Sequence, residues 1–120
     1  MFNFEKLEVY KLGLEIVDKI YLLTKKFPKE ELFALVNQLR RAAISIVLNI
    51  VEGSGRTKKD FGHFINMART SGYECIACLE IAKRRRYINE IEYEDTYNKI
   101  TIEIKMLSNL KRSIQRTTNQ

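Results

Sequence analysis

The stretch from Gln38 to Arg56, QLRRAAISIVLNIVEGSGR, constrains this chain more than any other. It opens with the spacing of an amphipathic helix, turns apolar on nearly every side, then stops at Glu52-Gly53 and breaks into a basic turn. A helix that is apolar all round has to be covered on both sides. A chain of 120 residues has little left to cover the second side once its own core is built. The expectation is a helical bundle that associates with copies of itself.

The length predicts one domain over residues 1–120, enough to bury a core. A single proline and five glycines leave few turns, so the elements must be long. No repeat, low-complexity segment or strand pattern interrupts them. The net charge of +6 favours an acidic partner, nucleic acid or an anionic surface. That charge is uneven: residues 53–89 carry 8 basic and 3 acidic side chains, net +5, against +1 over 1–52 and 0 over 90–120. Two cysteines and the lack of a signal-like leader predict a reducing, cytoplasmic setting. The longest apolar run, Ala42 to Val51, is interrupted by Ser45 and Asn49 and falls short of the ~20 residues of a membrane span.

Four helical periods follow one another. The first covers roughly 5–26 and carries two stripes, Tyr10-Leu14-Val17-Tyr21-Thr24 and Val9-Ile16-Ile20-Leu23-Phe27. Phe27-Pro28 ends it, because a residue before proline avoids the α region. The second runs from Lys29 to about Glu52, with Leu32, Leu35, Val36, Leu39, Ala43, Ile46 and Ile50 facing the core and Gly53 in the left-handed cap position. Thr57 and Asp60 resemble a capping box for the third helix, whose core face runs from Phe61 and Phe64 through Ile65, Ala68, Gly72, Cys75 and Leu79 to Ala82. Asn89 and Glu92 repeat that signal for the fourth, striped by Tyr93, Tyr97, Ile100, Ile104, Leu107 and Ile114. A frayed polar tail is expected beyond Arg116, over about 117–120. Short connections make consecutive helices antiparallel, so the predicted fold is all-α, an up-down-up-down four-helix bundle.

That topology sorts the basic residues into two poles. Arg56, Lys58, Lys59, Lys111, Arg112 and Arg116 share one end; Lys25, Lys26, Lys29, Arg84, Arg85 and Arg86 share the other, roughly 40 Å away at 1.5 Å per residue.

The phrase from Gln38 to Arg56, flanked by IYLLTKKFPKEELFAL (20–35) and FGHFINMARTSGYE (61–74), resembles the four-helix bundle family encoded within intervening sequences of bacterial 23S ribosomal RNA genes. That family includes the accessory protein of diversity-generating retroelements. The resemblance runs from about Phe4 to Ile88 and weakens in the fourth helix. The chain departs from the family pattern at Val47-Leu48-Asn49, where the family has Pro-Ser-Asn, and at Ile76, where it often has glutamate. A third departure is Arg85-Arg86, near which the family has Leu-Gly. The resemblance implies a barrel-shaped homopentamer with a basic surface. For the retroelement members it implies binding to nucleic acid and to a reverse transcriptase. It supplies no catalytic residue.

The candidate sites follow from charge and spacing. Arg56, Lys58 and Lys59 stand at the start of the third helix, where cations oppose the helix dipole and a bound phosphate would reverse the penalty. Arg84, Arg85 and Arg86 close that helix; capping explains one or two of them, and the rest are candidates for nucleic-acid binding with Lys111 and Arg112. Ile44, Leu48 and Val51, with the polar Arg41, Ser45 and Asn49, are the candidate oligomer interface. Arg40 borders the core and is expected to pair with a glutamate.

Cys75 and Cys78 form a C-x-x-C, but they sit mid-helix, and the single histidine, His63, lies ~18 Å up the same helix; buried small residues are expected rather than a metal or redox site. Arg56 and His63 have the spacing of a metal-independent ribonuclease motif, with the histidine as general acid or base. That motif is short and arises by chance. Most tyrosines fall on core stripes; Tyr87, beside the arginine run, is the exception. The leading expectation is a non-enzymatic, homo-oligomeric bundle that binds nucleic acid without sequence preference and needs no cofactor or membrane. The alternatives are a protein-interaction scaffold, for a reverse transcriptase for example, and a ribonuclease acting through His63.

Overall fold

Side-chain caps mark where the two longest helices begin. The structure, a computed structural model, describes residues 1–118. A 3-10 turn, Asn3–Lys6, precedes α1 (Glu8–Thr24). A second 3-10 turn, Lys29–Glu31, and a π turn, Leu32–Val36, lead into α2 (Asn37–Ser54), followed by α3 (Lys58–Arg84) and α4 (Glu90–Thr118). The Thr57 hydroxyl accepts the Asp60 amide at 3.2 Å. Asn89 and Glu92 exchange backbone-to-side-chain bonds at 2.8 and 2.9 Å. Both predicted capping sites therefore start helices.

Each helix packs on the next in sequence, and α1 closes against α4. The contacts run antiparallel: Arg40 on α2 meets Thr24 on α1, Gly53 meets Phe64, and Gly62 meets Lys111. The result is the up-down-up-down bundle, 51 × 22 × 22 Å. Ile16, Ile20, Leu39, Ile46, Ile50, Ile65, Leu79, Ile100 and Leu107 are fully buried along its axis. Each contributes on the order of 1.5–3 kcal/mol of transfer free energy. Of the two stripes on α1, the one through Val9, Ile16 and Ile20 is buried, whereas Leu14 (41% exposed) and Tyr21 (38%) of the other stay at the surface.

Several expectations are corrected. The second helix is not continuous from Lys29. The π turn inserts a residue, Glu31 caps the Leu35 amide at 3.5 Å, and the register slips, leaving Leu32 outside the core and Phe33 91% exposed. Gly53 is not a left-handed cap. It lies inside α2, and no described glycine has positive φ. Glycine is needed there for proximity, because a Cβ would stand 2.6 Å from the Phe64 Cβ. The left-handed residue is Arg86, φ 64°. It completes a Schellman ending of α3, with the Tyr87 amide bonded to the Ala82 carbonyl and the Arg86 amide to that of Lys83, both at 2.9 Å.

α4 is described to Thr118, and residues 119–120 of the expected tail lie outside the described residues. By length and composition alone, the 26 residues Lys29–Ser54 would pass for a membrane-crossing helix, an 18-residue window within them reaching mean hydropathy 1.3. Much of that apolarity is the core face of α2: Leu39, Ala43, Ile46 and Ile50 are fully buried.

Candidate functional site

The N-terminal half of α3 lies beside the C-terminal half of α4, and the basic residues of both meet there. Lys58 and Lys59, from the first turn of α3, line an open groove of about 600 Å³ with His63, Asn66 and Lys111. Gly62 forms its floor. Lys111 lies across it, with Cε 3.7 Å from where a Cβ would stand. No carboxylate lines the groove, and none of the three lysines has an ion-pair partner among the described residues. Their charges sit against the positive end of the α3 dipole, an arrangement an anion relieves.

A second groove, about 580 Å³, continues along the same pair of helices. Arg69, Tyr73 and Ile76 of α3 and Tyr97, Lys105 and Arg112 of α4 line it, again with no carboxylate. Arg69 joins the two grooves through Nη1, which donates to Asn66 Oδ1 at 3.3 Å. Its buried Nε has no partner among the described residues. Arg112 is thus held here, donating to Asn109 Oδ1, rather than beside Lys58 and Lys59 as the shared pole implied. Sequence reasoning missed Arg69, Lys105, Tyr73 and Tyr97 as groove residues. The signal was present: Lys59, Gly62, Asn66, Arg69, Tyr73 and Ile76 repeat at alternating spacings of three and four, a second face on α3 beside the core stripe.

Arg56 is not part of either groove. Its guanidinium donates to Glu52 at 3.1 Å and lies over the Phe64 ring, 5.3 Å from its centroid. His63 points to the lysine groove, so the spacing that linked Arg56 and His63 does not assemble one constellation.

The opposite pole is mixed in charge. Lys83 lies 3.3 Å from Glu80 and 3.9 Å from Glu90. Lys26 pairs with Glu92 and, with the Asn89 amide, holds that carboxyl below its usual range. Arg85 donates to the Tyr87 hydroxyl at 3.3 Å, which in turn donates to Glu31 at 2.8 Å. Tyr87 also packs on Phe27, ring centroids 5.3 Å apart, which gives it a structural role. Arg84 and Arg86 are exposed.

The six candidate interface residues divide between two faces. Ile44, Leu48 (59% exposed) and Val51 follow one stripe. Ser45 lies in the seam with α3, where its hydroxyl accepts from Ser71 Oγ at 3.0 Å, and it also accepts from Asn49 Nδ2 of its own helix at 3.0 Å. Arg41 lines a shallow polar pocket with Ser45, Ser71 and Glu74. Arg40 has a different partner from the glutamate expected: Nε donates to Thr24 Oγ1 at 2.9 Å, and the guanidinium stacks 4.4 Å over Tyr21.

Cys75 and Cys78 are buried thiols. Burial, then the neighbouring Cys78 and Glu74, pushes Cys75 up to about 12. Cys78 is raised by burial and by Glu74. Thiolate chemistry is suppressed at both. Among the described residues no three His, Cys, Asp or Glu side chains are grouped to hold a metal.

The profile of the 23S rRNA-intervening sequence proteins matches residues 5–109. The chain belongs to this family. The match takes in most of α4, further than the resemblance read from the motifs. A crystal structure of a protein of unknown function from the S23 ribosomal protein family of Bacteroides thetaiotaomicron aligns with it at TM-score 0.79 and 28% identity, over 86% of this chain and 97% of that one. No curated protein matches.

Proposed function

We propose that this member of the intervening-sequence family is a non-enzymatic, homo-oligomeric bundle that binds nucleic acid through its α3/α4 face without reading sequence. One observation carries the reading: Lys58, Lys59 and Lys111 converge on one groove with no carboxylate in its lining. Cations held together at a helix N-terminus have a reason to be there when a phosphate sits among them. Arg56, paired with Glu52, and Arg84 to Arg86, at a pole shared with Glu31, Glu80, Glu90 and Glu92, contribute less. Binding of this kind is electrostatic and falls with salt; three phosphate contacts per copy give a logarithmic slope of about −2 for a single strand.

The test is fluorescence anisotropy with labelled RNA and DNA across a salt series. Replacing Lys58, Lys59 and Lys111 together with alanine is expected to weaken binding at least about tenfold at low salt and to flatten the slope. Replacing Arg84 and Arg86 is expected to change affinity less than about threefold. Absence of binding at low salt, or indifference to the triple substitution, overturns the reading. A protein partner retained after nuclease treatment would then favour the scaffold alternative.

A further inference from the structure

Resting on that reading, we infer that the second α3/α4 groove makes this chain a binder of single-stranded nucleic acid, with Tyr73 and Tyr97 stacking unpaired bases while Arg69, Lys105 and Arg112 hold the phosphates.

The two tyrosines face the same groove from different helices. Tyr73 is 52% exposed and Tyr97 37%, so both rings are open to a ligand in the groove. Tyr97 is backed by Tyr93, ring centroids 5.7 Å apart, and Tyr93 lies under the Lys83 ammonium at 3.9 Å. Tyr97 is thereby braced on one side and open on the other. Around the rings stand three cations and no carboxylate. One of them, Arg69, keeps Nε buried without a partner among the described residues. A buried guanidinium N–H that bonds nothing is costly, and a phosphate or base oxygen entering the groove satisfies it.

The register joins this groove to the lysine groove. Lys58 to Tyr73 is fifteen residues along α3, and Lys111 back to Tyr97 is fourteen along α4. At 1.5 Å per residue each pair is separated by ~21–23 Å. One strand can therefore lie along the helix pair, phosphates on the lysines at one end and bases on the tyrosines at the other. Such a combination of a basic groove and aromatic platforms is what sequence-tolerant single-strand binding requires. In a duplex the same rings find no free base face, because every base is already stacked; a duplex is left with the phosphate contacts alone.

Anisotropy with oligo(U), oligo(dT) and a duplex of equal length separates the possibilities. Tyr73→Ala and Tyr97→Ala are each expected to weaken single-strand binding about tenfold while leaving duplex binding within about twofold. Tyr73→Phe, which keeps the ring, is expected to retain single-strand affinity. Both rings are at the surface, so the bundle should survive, as circular dichroism will verify. The chain has no tryptophan; Tyr73→Trp therefore places a single reporter whose emission should be quenched by oligo(U) and not by duplex. Equal affinity for strand and duplex, both unmoved by the tyrosine substitutions and with no quenching, overturns the single-strand assignment while the lysine-groove reading stands. Loss of all binding in the unmodified protein at low salt overturns both.

Discussion

Glu103 sits in the middle of the core, fully buried on α4, and neither carboxyl oxygen has a hydrogen-bond partner among the described residues. It lies against α1, where a Cβ on Gly13 would stand 3.1 Å from both Glu103 Oε2 and Val47 Cγ2, so that the glycine makes room for a close approach. Burial raises its carboxyl to about 8 from 4.5. The native chain therefore holds a proton that the unfolded chain releases between those values. Glu103 favours folding most below about 4.5, and that contribution is lost as pH rises through about 8. Thermal melts from pH 5 to 9 should show stability falling across this window. Glu103→Met, which removes the unpaired polar atoms at similar volume, is expected to raise stability by about 1–3 kcal/mol at neutral pH and to flatten the profile. A melt independent of pH in both chains would mean that the carboxyl is solvated.

At the scale of elements, the end of α3 departs from what its backbone prefers. Arg86 holds φ 64° in a Schellman ending that glycine adopts without strain. Arg86→Gly is expected to stabilise the bundle by about 1 kcal/mol, raising the melting temperature by roughly 4 °C. No change, or a loss, would indicate that the Arg86 side chain makes a compensating contact in the assembled protein. The start of α2 gives the complementary case. Across its π turn Leu35 stays buried on the core face that the helical period assigned, while Leu32, assigned to the same face, is exposed.

For the whole molecule the decisive fact is the distribution of faces. Consecutive packing places the α1–α2 side opposite the α3–α4 side. The first exposes Leu14, Tyr21 and Leu48; the second holds both basic grooves. If copies associate as proposed, through the apolar side, the basic side faces outward and several copies present several grooves. The paired substitution Leu14→Glu and Leu48→Glu puts charge on that apolar side without touching the core. Light scattering is expected to report an assembly for the unmodified chain and the mass of a single chain for the variant. A variant that keeps the assembled mass would move the interface elsewhere.

Helix number and order, and the N-terminal caps of α3 and α4, were legible in the sequence. They depend on local rules: Thr57 and Asn89 bond amides within one turn, Pro28 breaks the first helix, and alternating spacings of three and four mark one side of each rod. The fourth stripe was legible too, yet Thr96 and Glu103 occupy it at the right spacing and were passed over for being polar. What only the tertiary structure decided is which side chains meet across helices. The seating of Arg56 over the Phe64 ring, the division of Lys111 and Arg112 between two grooves, and the need for glycine at position 53 all depend on the azimuth and depth at which two rods pack. A period of 3.6 residues specifies a face to within tens of degrees, and a neighbouring side chain on the next helix is closer than that.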